Sequence, residues 1–136
     1  MENIGKIIFK KYIIKRVLGK GTFSNVFLGQ NIINNKSYAI KCQNIFSEKQ
    51  FLKDEAFILY NLKGFGIPEV ISFGRSCNYR FLVQNLLGKS LKEISIEKNR
   101  KICFKDICLI AKQTLERIEF VHSKNYIYRD IKPENF

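Results

Sequence analysis

Between Tyr12 and Gln43 the chain alternates apolar and polar residues in three short runs, "YIIKRVLG", "VFLGQNI" and "SYAIKCQ". Only turn residues separate them: Gly19 and Gly21 close the first gap, Asn34 and Asn35 the second. Period-two alternation broken at such short intervals specifies an antiparallel meander. A helix-period segment follows over 47–62, ended by Gly64 and Gly66 with Pro68 behind them, and two further strands fit 69–74 and 79–85. After Gly88 the pattern turns helical, with a long helix over 105–122. The expected fold class is therefore α+β, an antiparallel sheet with one helix followed by helices, without internal repeats or a low-complexity linker.

The last helix carries Ile107, Ile110, Ala111, Leu115, Ile118 and Val121, with Cys108, Leu109 and Phe120 on other faces. A helix apolar on more than one side expects cover on more than one side, and little chain follows it. The expectation is that a larger helical lobe belongs after Phe136. At 136 residues, 46% hydrophobic and 26% charged, the chain is globular rather than disordered. It shows no signal-peptide run and no window of about 18 apolar residues, which predicts a soluble, intracellular protein with no membrane segment.

Cys42, Cys77, Cys103 and Cys108 have no C-x-x-C spacing and sit in apolar stretches, so reduced buried thiols are expected in place of disulfides or zinc. The net charge of +12 suits an acidic partner, although lysines outnumber arginines 18 to 6, and much of that charge reads as solvated surface. With no arginine-rich run or stacking-aromatic motif, nucleic acid is not expected as a partner.

Chemistry concentrates in four places. In "LGKGTFSNVFLG", Gly19 and Gly21 let the backbone approach an anion, although a G-x-G in a hairpin is more often only a tight turn. On the third strand Ala39 and Lys41 share one face and Tyr38, Ile40 and Cys42 the other, which sets a small residue beside a cation able to reach phosphates. On the helix, Phe51, Ile58, Leu59 and Leu62 line one face with Glu55 at its centre, and a carboxylate facing a sheet needs a cation, Lys41. Asp54 takes that role if the register is off by one. Finally, "YIYRDIKPENF" sets Asp130, Lys132 and Asn135 on a proline-stiffened loop: one proton acceptor, one cation and one metal-binding amide, with Arg129 expected to anchor the loop. That set suits phosphoryl transfer, where positioning and electrostatics do most of the catalysis.

In order along the chain, "GKGTFSNV", "YAIK", Glu55 and "RDIKPENF" resemble the N-terminal half of a eukaryotic protein kinase. The lysine of "DIKPEN" resembles the serine/threonine class. "GFGIPEV", "LLGKSL", "RIEFVHSKNYIYRD" and "KPENF" are similar to the casein kinase I family.

The resemblance implies a kinase domain over 9–136, with 9–84 as the N-lobe and 85–136 as hinge and first helices of the C-lobe. It implies ATP and Mg2+ as cofactors, with transfer of the γ-phosphate to protein Ser/Thr. Gly19, Gly21 and Val26 would cover ATP, Ala39 line the base, Lys41 bind its phosphates with Glu55, and Asn85 to Leu87 form the hinge that meets adenine. Gln84 falls at the gatekeeper position and Ser90 to Glu93 near ribose and substrate. Asp130 would orient the hydroxyl, Lys132 neutralise charge and Asn135 hold the metal. Acidic or already phosphorylated protein substrates, a monomer, and a cytoplasmic or nuclear location complete the expectation. Three residues depart from the family pattern: Ser24 for the third loop glycine, Lys89 for a proline and Tyr128 for the histidine before Arg129. The D-F-G segment is absent, so weak catalysis is expected of this chain alone. The rival expectation is a noncatalytic fragment that binds nucleotide or protein.

Overall fold

The computed structural model describes residues 3–21 and 24–136, which gather into two compact units, one running to Leu87 and the other Gly88–Phe136. Among the described residues the first unit is a six-stranded antiparallel sheet with one helix: β1 (Ile7–Ile8), β2 (Tyr12–Lys20), β3 (Asn25–Asn31), β4 (Ser37–Asn44), α1 (Phe51–Asn61), β5 (Val70–Ser76) and β6 (Tyr79–Asn85). The strand order is β1-β2-β3-β4-β6-β5. The meander thus holds through β4, after which the chain leaves by α1 and returns so that β6, the last strand made, lies between β4 and β5.

Period-two alternation decides what each face carries. One face gathers Ile8, Tyr12, Ile14, Phe27, Ile40, Cys42, Phe81 and Val83 into the main core. No second sheet covers it; the N-terminal segment does. Phe9 stands edge-on to Phe81 with ring centroids 6.3 Å apart, a Cβ on Gly74 would come within 3.1 Å of the Phe9 ring, and the buried Asn3 donates from Nδ2 to the Cys42 sulfur at 3.3 Å. The turn that makes this strap sets Phe9 and Lys10 at φ 50 and 51, left-handed values that burial of Phe9 holds in place. Sequence alternation could not reveal β1, which is two residues long.

The opposite face presents Leu82 to α1, where it packs with Leu52 and Ala56, flanked by Leu59 and Val70. Here the expected helix is corrected. It begins at Phe51, because the Gln50 amide donates to the carbonyls of Ile45 at 2.8 Å and Ser47 at 2.7 Å and holds the preceding residues in a loop. The Gln43 side chain accepts from the Leu52 N–H at 3.2 Å and fixes the start. The buried face is accordingly Leu52 and Ala56, with Leu62 just past the helix, while Phe51 is exposed.

In the second unit α2 (Leu91–Glu97) opens on a full capping box, in which the Ser90 oxygen accepts from the Glu93 N–H and the Glu93 carboxylate accepts from the Ser90 N–H. α3 (Phe104–Ser123) opens on Cys103, whose sulfur accepts from the Asp106 N–H at 3.4 Å. Only Val121 of α3 is buried, and Phe104, Ile107, Leu109 and Leu115 are exposed. Its apolar surface is as broad as the sequence implied. Among the described residues no helix is long and apolar enough to cross a membrane. All four cysteines are free, but only Cys42 is buried, contrary to the sequence expectation. Cys77 sits in the β5–β6 turn at φ 50, Cys103 caps a helix and Cys108 faces outward from α3; apolar neighbours in sequence do not make a buried site in space.

Candidate active site

The first half of the site lies on the α1-facing side of the sheet. Gly19 pairs with Val26, and the Gly21 N–H donates to the Ser24 carbonyl at 2.9 Å to close the hairpin. A Cβ on Gly21 would sit 3.1 Å from that carbonyl, so the tight closure favours glycine, whereas a Cβ on Gly19 would meet nothing within 4 Å. Gly19 keeps space open rather than relieving a clash. Thr22 and Phe23 of the "GKGTFSNV" stretch lie outside the described residues.

Residues paired across a ladder share a face. The register sets Val26 opposite Lys41, Leu28 opposite Ala39, and Ala39 opposite Gln84, with Lys41 also opposite Leu82. Val26, Ala39, Lys41 and Gln84 thereby form one patch, floored by the buried methyl of Ala39. Because Leu82 docks α1, the helix brings Glu55 over the same face, and Lys41 Nζ forms an ion pair and hydrogen bond with Glu55 Oε1. Asp54, one residue away, is exposed and does not compete. Asn85 ends β6 and clamps Glu69, its N–H donating to the Glu69 carbonyl at 3.2 Å and its side-chain oxygen accepting from the Glu69 N–H at 2.7 Å. Leu87 is exposed, and among the described residues its backbone makes no hydrogen bond, which leaves both groups for a ligand.

The second half, described by itself, is the loop Tyr128 to Phe136. Asp130 Oδ2 accepts from Lys132 Nζ at 2.7 Å and from Asn135 Nδ2 at 2.9 Å, and the same amide also reaches the Asp130 carbonyl at 2.8 Å. Pro133 starts the 3-10 turn Pro133–Asn135 that places Asn135 against Asp130. The loop is tied to the start of α2: the Leu91 N–H donates to the Phe136 carbonyl at 2.7 Å, and Lys92 pairs with Glu134 at 2.8 Å. Tyr128 stacks on Phe136 with centroids 5.4 Å apart. These ties join residues some forty positions apart, and no local spacing signals them. Arg129, expected to anchor the loop, instead adopts φ 60 with an exposed side chain that makes no hydrogen bond or ion pair among the described residues.

The electrostatics follow from these contacts. The hydrogen bond from Lys132, then that from Asn135, holds the Asp130 carboxyl below the usual aspartate range. The same bond to Asp130 raises the Lys132 ammonium. Both groups therefore stay charged at neutral pH, as a proton acceptor beside a cation must. Burial raises the Tyr128 phenol, with the Asp130 charge adding to it.

The sequence pattern of the protein kinase domain matches residues 12–136, nearly the whole chain. The chain belongs to the protein kinase family. It is 40% identical over 126 residues to Casein kinase I homolog 3 of Schizosaccharomyces pombe, an alignment that takes in 92% of this chain and 29% of that relative. The kinase chain therefore spans less than a third of the length of this curated relative, and its resemblance is of casein kinase I type.

Protein kinases generally use ATP with Mg2+, and the residues present fit both. On the nucleotide side, the open space at Gly19, the Ala39 floor, the Lys41 ammonium and the free backbone of Leu87 match a flat base followed by phosphates. On the metal side, Asn135 spends its N–H groups on Asp130, so its side-chain oxygen is the atom left for a cation. Among the described residues no group of three or more His, Cys, Asp or Glu could hold a metal alone, so a cation here would lean on phosphate and water oxygens, as Mg2+ does.

Proposed function

We propose that this chain carries the nucleotide-binding and hydroxyl-orienting parts of a serine/threonine protein kinase of casein kinase I type, acting on protein Ser/Thr with ATP as donor. Residues 9–84 are read as the nucleotide lobe and 85–136 as the hinge and start of the helical lobe. The observation that carries the reading is the Asp130 carboxylate held between Lys132 and Asn135. Asp130 accepts or orients the proton of the incoming hydroxyl. Lys132 offsets charge that gathers on the transferred group, and Asn135 contributes an amide oxygen. Lys41, fixed by Glu55, holds nucleotide phosphates, while Val26, Ala39 and the Leu87 backbone contact the base. Mg2+, when bound, would neutralise phosphate charge. The formal charge of +12 favours acidic or phosphorylated protein substrates.

The test is phosphate transfer from labelled ATP to an acidic, serine-rich protein by the 136-residue chain. Asp130→Asn should lower the rate by about 100-fold or more, and a rate unchanged by that substitution would refute the assignment. A second reading, a chain that binds nucleotide or a protein partner without turnover, is favoured by the exposed apolar residues of α3. ATP-dependent thermal stabilisation that Lys41→Ala abolishes, in a chain that transfers no phosphate, would select it.

A further inference from the structure

Gln84 is the one described residue with a buried side-chain oxygen and no hydrogen-bond partner, protein neighbours included. Its surroundings explain why. On β6 it follows Phe81, Leu82 and Val83, all buried, and across the ladder it faces Ala39 on β4 and Val70 on β5, none of which offers a side-chain donor. An amide oxygen shut away from water without a donor is disfavoured, and an apolar side chain of the same length would suit this position better for folding alone. The residue as a whole is only half-buried, and the terminal torsion of a glutamine is broad, so the amide can turn its oxygen to the open side of the patch that Ala39 floors.

We infer that Gln84 is a specificity-determining residue for the nucleotide base, its side-chain oxygen accepting a hydrogen bond from a purine that carries an amine and opposing one that carries a carbonyl there. This inference rests on the nucleotide site proposed above. A site that leaves a polar group unpaired until the right donor arrives rejects the analogue lacking that donor, because the analogue leaves the acceptor facing another acceptor.

The experiment measures binding of ATP and of ITP, which has a carbonyl where adenine has its amine, by titration calorimetry on the whole chain, beside melting curves without nucleotide. The wild-type chain should prefer ATP, and Gln84→Met should shrink that preference by about tenfold, the worth of one hydrogen bond to a buried group. The same substitution should raise the melting temperature of the free chain, whereas a glutamine kept for structure would lower it. Gln84→Leu serves as a second apolar variant if Met packs badly. Lys41-dependent binding with an ATP preference that neither variant alters would overturn the inference and leave the site reading standing. A preference for ITP would overturn it too, since the amide would then be presenting its N–H. Failure of both nucleotides to bind in a Lys41-dependent way would instead remove the site reading, and this inference with it.

Discussion

Gly29 lies on β3, where a Cβ would come within 2.1 Å of Ile40 Cδ1 and 2.8 Å of its Cγ1. Ile40 cannot move aside freely: it is wholly buried in the main core, among Ile14, Phe27, Cys42 and Val83. Gly29→Ala should therefore act as overpacking and destabilise the chain by about 2 kcal/mol. For a unit of this size that corresponds to a fall in melting temperature of roughly 10 °C. Ile40→Ala alone, by emptying a fully buried site, should cost about 3 to 4 kcal/mol. The two effects should not add. Truncating Ile40 removes both atoms that the new methyl strikes, and the methyl then fills part of the vacated space, so the double variant should be no worse than Ile40→Ala alone. The cycle would show a coupling of about 2 kcal/mol, read from urea unfolding followed by circular dichroism. Additivity within about 0.5 kcal/mol, or a neutral Gly29→Ala, would mean that β3 and β4 do not approach as described.

Other expectations are as specific. Lys132→Met removes the larger of the two bonds that lower the Asp130 pKa, so the carboxyl should titrate at higher pH in the variant, measured by NMR. Since the folded value is the depressed one, the bond contributes at neutral pH and is lost as pH falls through that value; no movement in Lys132→Met would exclude the contact. Burial pushes the Cys42 thiol up to about 12, while Cys77, Cys103 and Cys108 are exposed, so at pH 8 a thiol reagent should label three cysteines quickly and the fourth only on unfolding. Glu55→Gln should cost less than about 1 kcal/mol of stability, because the side chains of Lys41 and Glu55 are 26% and 34% exposed. It should nonetheless weaken ATP binding several-fold by freeing Lys41, and unchanged affinity by calorimetry would deny Glu55 its positioning role.

The meander and the Lys41 to Glu55 pair were legible because each rests on local periodicity plus one rule about buried charge. The face of α1 was misread for a reason particular to its residues. Phe51, Ile58, Leu59 and Leu62 make the stronger hydrophobic stripe, yet Leu82 of β6 selects Leu52 and Ala56, and a small alanine adds little to any pattern. The start of the helix was set by the Gln50 side chain bonding backwards to two carbonyls, a competition that propensity does not register. At the catalytic loop the identities of Asp130, Lys132 and Asn135 were visible, but the Lys92 to Glu134 pair and the Leu91 to Phe136 bond were not, since both depend on how the chain returns to α2.

The position of β6 governs how the first unit can be made on the ribosome. Phe81 and Val83 complete the core on one side of the sheet and Leu82 the core on the other, so neither side closes until residues 79–85 have been synthesised. Until then β4 presents an open edge, bearing Ile40 and Cys42, to whatever else is nearby. At about 5 to 20 residues per second, the stretch between the end of β4 and the end of β6 leaves that edge unpaired for several seconds. During that interval the nascent chain is most open to mispairing with another copy of itself, and a chaperone that shields strand edges would matter most then.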